Sequence, residues 1–86
     1  MNGYIYILKS DSNRYYIGST SDVARRFIQH KSGHTHTTRR MNNLELVFTQ
    51  EFETLEKARR IERKIKSWKR KDFIEKIISE GFIKIS

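Results

Sequence analysis

The chain has 86 residues, 33% of them charged, and its 18 lysines and arginines against 10 aspartates and glutamates leave a net charge of +8. That length suits one domain with a small core, and the cationic excess points to an anionic partner, nucleic acid first. The absence of cysteine excludes disulfides and thiolate metal sites, no apolar run approaches the ~18 residues of a membrane span, and a pattern that begins at residue 3 or 4 leaves no room for a signal peptide, so a cytoplasmic location is expected.

Gly3 to Lys9 (Gly-Tyr-Ile-Tyr-Ile-Leu-Lys) is a strand by composition, with Tyr4, Tyr6 and Leu8 on one face and Ile5 and Ile7 on the other. Both faces are apolar enough for a strand covered on both sides. Ser10-Asp11-Ser12-Asn13 is turn chemistry, and residues 14–19 return as a second strand, so residues 4–19 read as a β-hairpin. Tyr16 and Gly18 share a face, and a hairpin with this loop can put Tyr6 on the same side.

The stretch from Tyr16 to His30 then changes period from strand to helix. Thr20 or Ser21 is the expected N-cap of a helix over residues 21–31, and Asp22 suits the positive end of its dipole. On a helical wheel Val23, Arg26, Phe27 and His30 fall on one side while Arg25 points away. A tyrosine, a strand-end glycine that admits close approach to the backbone, an arginine and a histidine converge there, which reads as a phosphate site.

Gly33 is the expected helix stop. Residues 34–43 have no apolar period and read as an exposed loop. His34 and His36 form a weak metal signal with no third ligand nearby. Arg39 and Arg40 read as phosphate-contacting surface. Residues 44–52 alternate as a third strand. Thr54 caps a second helix over residues 55–67, whose apolar stripe is Leu55, Ala58, Ile61, Ile65 and Trp68. Lys69-Arg70-Lys71 is a basic connector. Phe73, Ile74, Ile77 and Ile78 mark a third helix ending at Gly81, and the tail 82–86 is apolar enough to pack down or add a short strand. The order β-β-α-β-α-α describes an α+β fold, a single domain over residues 1–86 with one small sheet flanked by helices.

Glu62 lies inside the apolar arc of the second helix, where a carboxylate is costly unless something satisfies it. Two plain explanations exist: an ion pair with Lys66, four residues on, and a place at the edge of the stripe. The functional explanation is a ligand for a hard cation such as Mg²⁺, one carboxylate completed by waters and substrate oxygens. Arg26 can cover apolar surface with its stem or present a forked donor to a phosphate. Tyr6, Tyr16 and His30, taken singly, are more often packed rings than reacting groups.

Tyr4-Ile5-Tyr6 followed by Tyr16-Ile17-Gly18 resembles the paired motif that names the GIY-YIG nuclease family. Arg26-Phe27-Ile28-Gln29-His30 is similar to the family's arginine-and-histidine helix. The run from Ala58 through Glu62 to Lys66 is similar to its Ala…Glu…Lys helix. The likeness covers about residues 3–78 and is nearest the small stand-alone branch. It implies a three-stranded antiparallel sheet flanked by helices. It also implies an endonuclease that hydrolyses phosphodiester bonds with Mg²⁺ or Mn²⁺, on DNA rather than RNA, in a structure-directed or weakly specific way.

By position the resemblance gives catalytic roles to Tyr6, Tyr16, Arg26, His30 and Glu62, with Glu62 the metal ligand and Gly18 structural. Lys66 joins Arg39 and Arg40 as an expected nucleic-acid contact. Tyr4 stands in place of the family's first glycine. No asparagine follows Asn43, where larger members carry one near the metal, so the implied metal site is a thin one. In the implied mechanism the metal acts as Lewis acid, Arg26 stabilises charge on the phosphate, and Tyr6 or Tyr16, with His30 near, takes the proton of the attacking water. The competing readings are a basic binding module that has kept the fold without catalysis, and a basic protein attached to a larger RNA-containing assembly. Retention of all five polar positions favours the enzyme.

Overall fold

A computed structural model describes residues 2–31, 44–68 and 70–83. Its elements are β1 (Gly3–Lys9), β2 (Tyr15–Thr20), α1 (Val23–Lys31), β3 (Glu45–Phe52), α2 (Leu55–Trp68) and α3 (Lys71–Glu80). The three strands form one antiparallel sheet, as the resemblance implies, and their order is β2-β1-β3. β1 is central, which explains why both of its faces are apolar, and Ile5, Tyr6, Ile7 and Leu8 are all buried. The β1–β2 register sets Tyr6 opposite Gly18 and Leu8 opposite Tyr16, so both tyrosines do share a face. Asn13 closes the hairpin loop at φ 62°, a left-handed conformation that asparagine tolerates.

α1 starts two residues later than expected, and its cap is Asp22 rather than Thr20 or Ser21. The Asp22 carboxylate accepts the Arg25 N–H at 3.1 Å, while the Thr20 hydroxyl accepts the N–H of Asp22 at 3.1 Å. A charged acceptor at the positive end of the dipole outcompetes a hydroxyl. Thr54 caps α2 as read, its hydroxyl accepting the Lys57 N–H at 3.1 Å. Gly3 lets that helix begin against β1, since a Cβ there would lie 2.8 Å from the Leu55 nitrogen.

α2 lays Ala58, Ile61 and Ile65 on the face of the sheet that carries Ile5, Ile7 and Ile17, and Phe48, Phe52 and Ile77 complete the buried core. Trp68, read as the end of the α2 stripe, lies outside this cluster. It is 37% exposed and meets Phe73 edge-on at 4.6 Å, because the last turn of α2 is met by α3. α3 ends at Gly81, whose φ of 84° and N–H to the Ile77 carbonyl at 2.9 Å close the helix. Of the tail, Ile83 is buried and donates its N–H to Gln50 Oε1 at 2.7 Å, Phe82 is half exposed, and residues 84–86 lie outside the described residues. The expected loop over residues 33–43, with His34, His36, Arg39 and Arg40, lies outside the described residues. Among the described residues no helix is long and apolar enough to cross a membrane.

Candidate active site

The site begins with a missing side chain. Tyr6 sits on the central strand, yet its phenol reaches across β2 toward the open edge of the sheet. It can do so because its cross-strand neighbour is Gly18: a Cβ there would lie 2.5 Å from the Tyr6 hydroxyl oxygen and 2.6 Å from Cζ. α1 meets the phenol with Arg26 and His30, one helical turn apart on the face read from the wheel. The Tyr6 hydroxyl is 2.8 Å from His30 Nε2 and 3.4 Å from Arg26 Nε. Guanidinium has only donors, so the phenol accepts from Arg26. With His30 Nε2 as the unprotonated ring nitrogen, the phenol donates its own proton there. Tyr16 closes the cluster with its ring 4.8 Å from His30 and 6.3 Å from Tyr6.

Burial fixes the protonation of this cluster. Tyr6 and His30 are each 1% exposed. Burial pushes the Tyr6 phenol up to about 12, against the opposing pull of Arg26. Burial, then the charge of Arg26, lowers His30 below its ordinary value. The hydrogen bond to Tyr6 raises Arg26 further. At neutral pH the cluster therefore holds a protonated phenol, a neutral imidazole and a cation.

Glu62 reaches the same place from the opposite layer. Its helix packs on the isoleucine face, not on the tyrosine face, because helical spacing sets the side but not the layer. Its carboxylate extends past the edge of β2, accepting the Ser19 hydroxyl on Oε1 and holding Lys66 Nζ at 2.7 Å on Oε2. The ion pair offered by the spacing is thus present, and the same carboxylate also lines a cleft of about 400 Å³ with Tyr6, Tyr16, Gly18, Ser19 and Arg26. His30 stands behind Tyr6, and Lys66 flanks the cleft with its ammonium 5.5 Å from the Tyr16 ring centre.

Arg59 and Arg63 also line the cleft, and the sequence reading missed them. They lie three residues before and one after Glu62; spacing places Arg59 near Glu62, but Arg63, one residue on, is turned away from it, and only the packing of α2 on the sheet brings both to the cleft. Ser19 was missed as well, though strand alternation turns it toward the α2 side, next to Gly18. Among the described residues no group of three or more His, Cys, Asp or Glu side chains gathers as a metal site. The cleft instead offers one carboxylate, Glu62, with the Ser19 hydroxyl beside it. That set fits a hard cation whose shell is completed by waters and phosphate oxygens.

A family model of the GIY-YIG catalytic domain matches residues 2–77, and the chain belongs to that family. Such a domain implies nuclease-type activity on nucleic acid. Its relatives within the family are UPF0213 proteins. One from Staphylococcus saprophyticus is 34% identical over 79 residues, 91% of this chain and 95% of the relative. One from Halalkalibacterium halodurans is 39% identical over 72 residues, covering 83% and 77% of the two chains. The solution NMR structure of a UPF0213 protein from Bacillus halodurans superposes with a TM-score of 0.59 at 35% identity, over 94% of this chain and 87% of that one.

Proposed function

We propose that the protein is a divalent-metal-dependent endonuclease that hydrolyses phosphodiester bonds, in DNA more than in RNA, at sites set by structure rather than by sequence. The observation that carries this reading is the Tyr6 hydroxyl, held between Arg26 and the His30 ring nitrogen and lining one cleft with Glu62. Glu62, with Ser19 beside it, would hold Mg²⁺ or Mn²⁺, which when bound supplies Lewis-acid charge to the phosphate.

The chain's own groups account for the rest. With a value near 12, only about one Tyr6 in 10⁵ is ionised at pH 7, so a standing phenolate is a poor base. A concerted transfer avoids that state. Tyr6 takes a proton from the attacking water as its own proton passes to Nε2 of neutral His30. The water oxygen bonds to phosphorus and the opposite P–O bond breaks, its oxygen taking a proton from solvent. Arg26, with Arg59 and Arg63, stabilises charge on the phosphate oxygens. Tyr6 rather than Tyr16 suits the base role because it already points its proton at an acceptor. Lys66, and Arg39 and Arg40 beyond the described residues, add phosphate contacts, and the enzyme works in the cytoplasm.

The test is incubation of pure protein with plasmid, branched DNA and structured RNA, with Mg²⁺, with Mn²⁺ and with chelator. Cleavage that needs metal and disappears in Tyr6→Phe and Glu62→Gln is expected. Tight binding without cleavage under every condition would leave the catalytically silent binding module as the better reading.

A further inference from the structure

A second cleft, of about 610 Å³, continues along the edge of β2 between the β1–β2 turn, the end of α2 and the start of α3. The two clefts meet at Tyr16, which lines both, and Lys66 of the second is paired with Glu62 of the first. The floor of the second cleft is apolar, made by Ile17, Ile65 and Ile74. Its aromatic wall is Tyr15 and Tyr16, with Lys71 Nζ 5.7 Å from the Tyr15 ring centre. Arg14 and Arg70 bring its cations to four, of which Lys66 is paired with Glu62 and Arg70 with Asp72, each at 2.7 Å, while the Tyr15 hydroxyl meets Glu75 at 3.5 Å. Its volume falls within the ~300–1,000 Å³ of small-ligand sites.

This lining asks for two properties in one occupant. The isoleucine floor has nothing to offer a fully hydrated anion, and four cations have nothing to offer a neutral apolar body. A nucleotide has both a flat base and an anionic phosphate. In a duplex the base faces are covered by stacking, so only an unpaired base can lay a face on Ile74 and Tyr15.

We propose that this cleft holds an unpaired nucleotide next to the scissile phosphate, its base on the Ile74 floor against Tyr15 and its phosphate on Arg14 and Lys71. The substrate is then a strand at the point where it leaves, or lacks, a duplex. The assignment rests on the nuclease reading of the adjoining cleft.

Binding is measured in chelator, with the full chain and oligonucleotides carrying 2-aminopurine. The probes are a single strand, a duplex with one unpaired flanking nucleotide and a fully paired duplex, each as deoxyribose and ribose versions. The unpaired base should be quenched on binding, and the probes that carry it should bind about tenfold tighter than the paired duplex, the worth of one stacked base. The sugar series that binds more tightly identifies the strand. Ile74→Lys should abolish that preference while leaving duplex binding equal or stronger. A merely cationic surface predicts the opposite, tighter binding of every probe with the ratio unchanged. Arg14→Gln, at an exposed turn, should weaken the unpaired probes more than the duplex and guards against misfolding of the first variant. Equal affinity for paired and unpaired probes, or a preference that survives both substitutions, overturns the proposal. Cleavage enters none of these readouts, so an inactive protein that keeps the preference would sink the nuclease reading alone. An active one without the preference would sink this cleft alone.

Discussion

Gly18→Ala is the sharpest perturbation of the site, because it adds one methyl and changes no charge. Gly18 has no left-handed backbone to protect, so alanine carries no dihedral strain there. The whole cost is steric. The new Cβ would fall 2.5 Å from the Tyr6 hydroxyl oxygen, about 0.9 Å inside ordinary contact. Tyr6 cannot easily yield, since it is 1% exposed and tied to His30 at 2.8 Å. Overpacking of this kind costs about 1–3 kcal/mol, and the stiffer unfolded chain returns about 0.4–1 kcal/mol. A net loss of about 1–2 kcal/mol lowers Tm by about 4–16 °C for a domain of this size. The functional cost is separate. Displacing the phenol by about 1 Å from Arg26 and His30 should reduce cleavage about 10²-fold. Thermal melting and a metal-dependent cleavage assay read the two effects. In a Tyr6→Ala background the same Gly18→Ala change should cost almost no stability, because its collision partner is gone. A Gly18→Ala protein with unchanged Tm and unchanged cleavage would refute the account of why this position is glycine.

Three further outcomes are expected. Glu62→Gln should abolish metal-dependent cleavage with little change in Tm, whereas Lys66→Met should leave stability within about 0.5 kcal/mol and weaken nucleic-acid binding; intact cleavage in Glu62→Gln would remove the metal assignment. Affinity for duplex should fall linearly in log–log salt plots, with about −0.9 per phosphate neutralised, and a flat response would contradict the role of the +8 charge. His30 has its value lowered in the folded state, so its contribution to stability is complete above its unfolded value of about 6.5 and is lost as pH falls. Tm measured from pH 8 to pH 5 should therefore drop more steeply in the wild type than in His30→Gln, and parallel curves would count against a buried neutral imidazole.

Much of this architecture could be read from the chain because alternation and helical spacing are local. Tyr16 and Gly18 fall on one face by parity alone, whereas placing Tyr6 with them takes the hairpin register; Arg26 and His30 share a side of α1 by spacing alone. The position of Glu62 was different. The wheel puts it inside the apolar arc of α2, but which face of the sheet that arc covers depends on the packing of the strands together. The same limit hid Ser19, Arg59 and Arg63, whose neighbours come from other elements. The Asp22 cap was missed because Thr20, Ser21 and Asp22 are all good caps, and only the geometry of the incoming strand chooses among them.

The opposite-layer origin of Glu62 has a chemical consequence. Tyr6 and His30 are buried and hydrogen-bonded to each other on one side of the sheet edge, with the half-buried Arg26 shared between Tyr6 and Gln29. Glu62 stands on the other side, balanced by Ser19 and by Lys66, whose side chain is 46% exposed. The Glu62 side chain is only 14% exposed, so losing the Lys66 charge leaves the carboxylate in need of another cation. The released ammonium stays beside Tyr16, where the strand backbone would pass. In the proposed mechanism the proton-handling groups are already in contact before substrate arrives, while the charge-handling groups are completed by the phosphate. A cleft divided in this way should hold its cation weakly without nucleic acid and firmly with it, because the phosphate oxygens supply ligands that the chain does not.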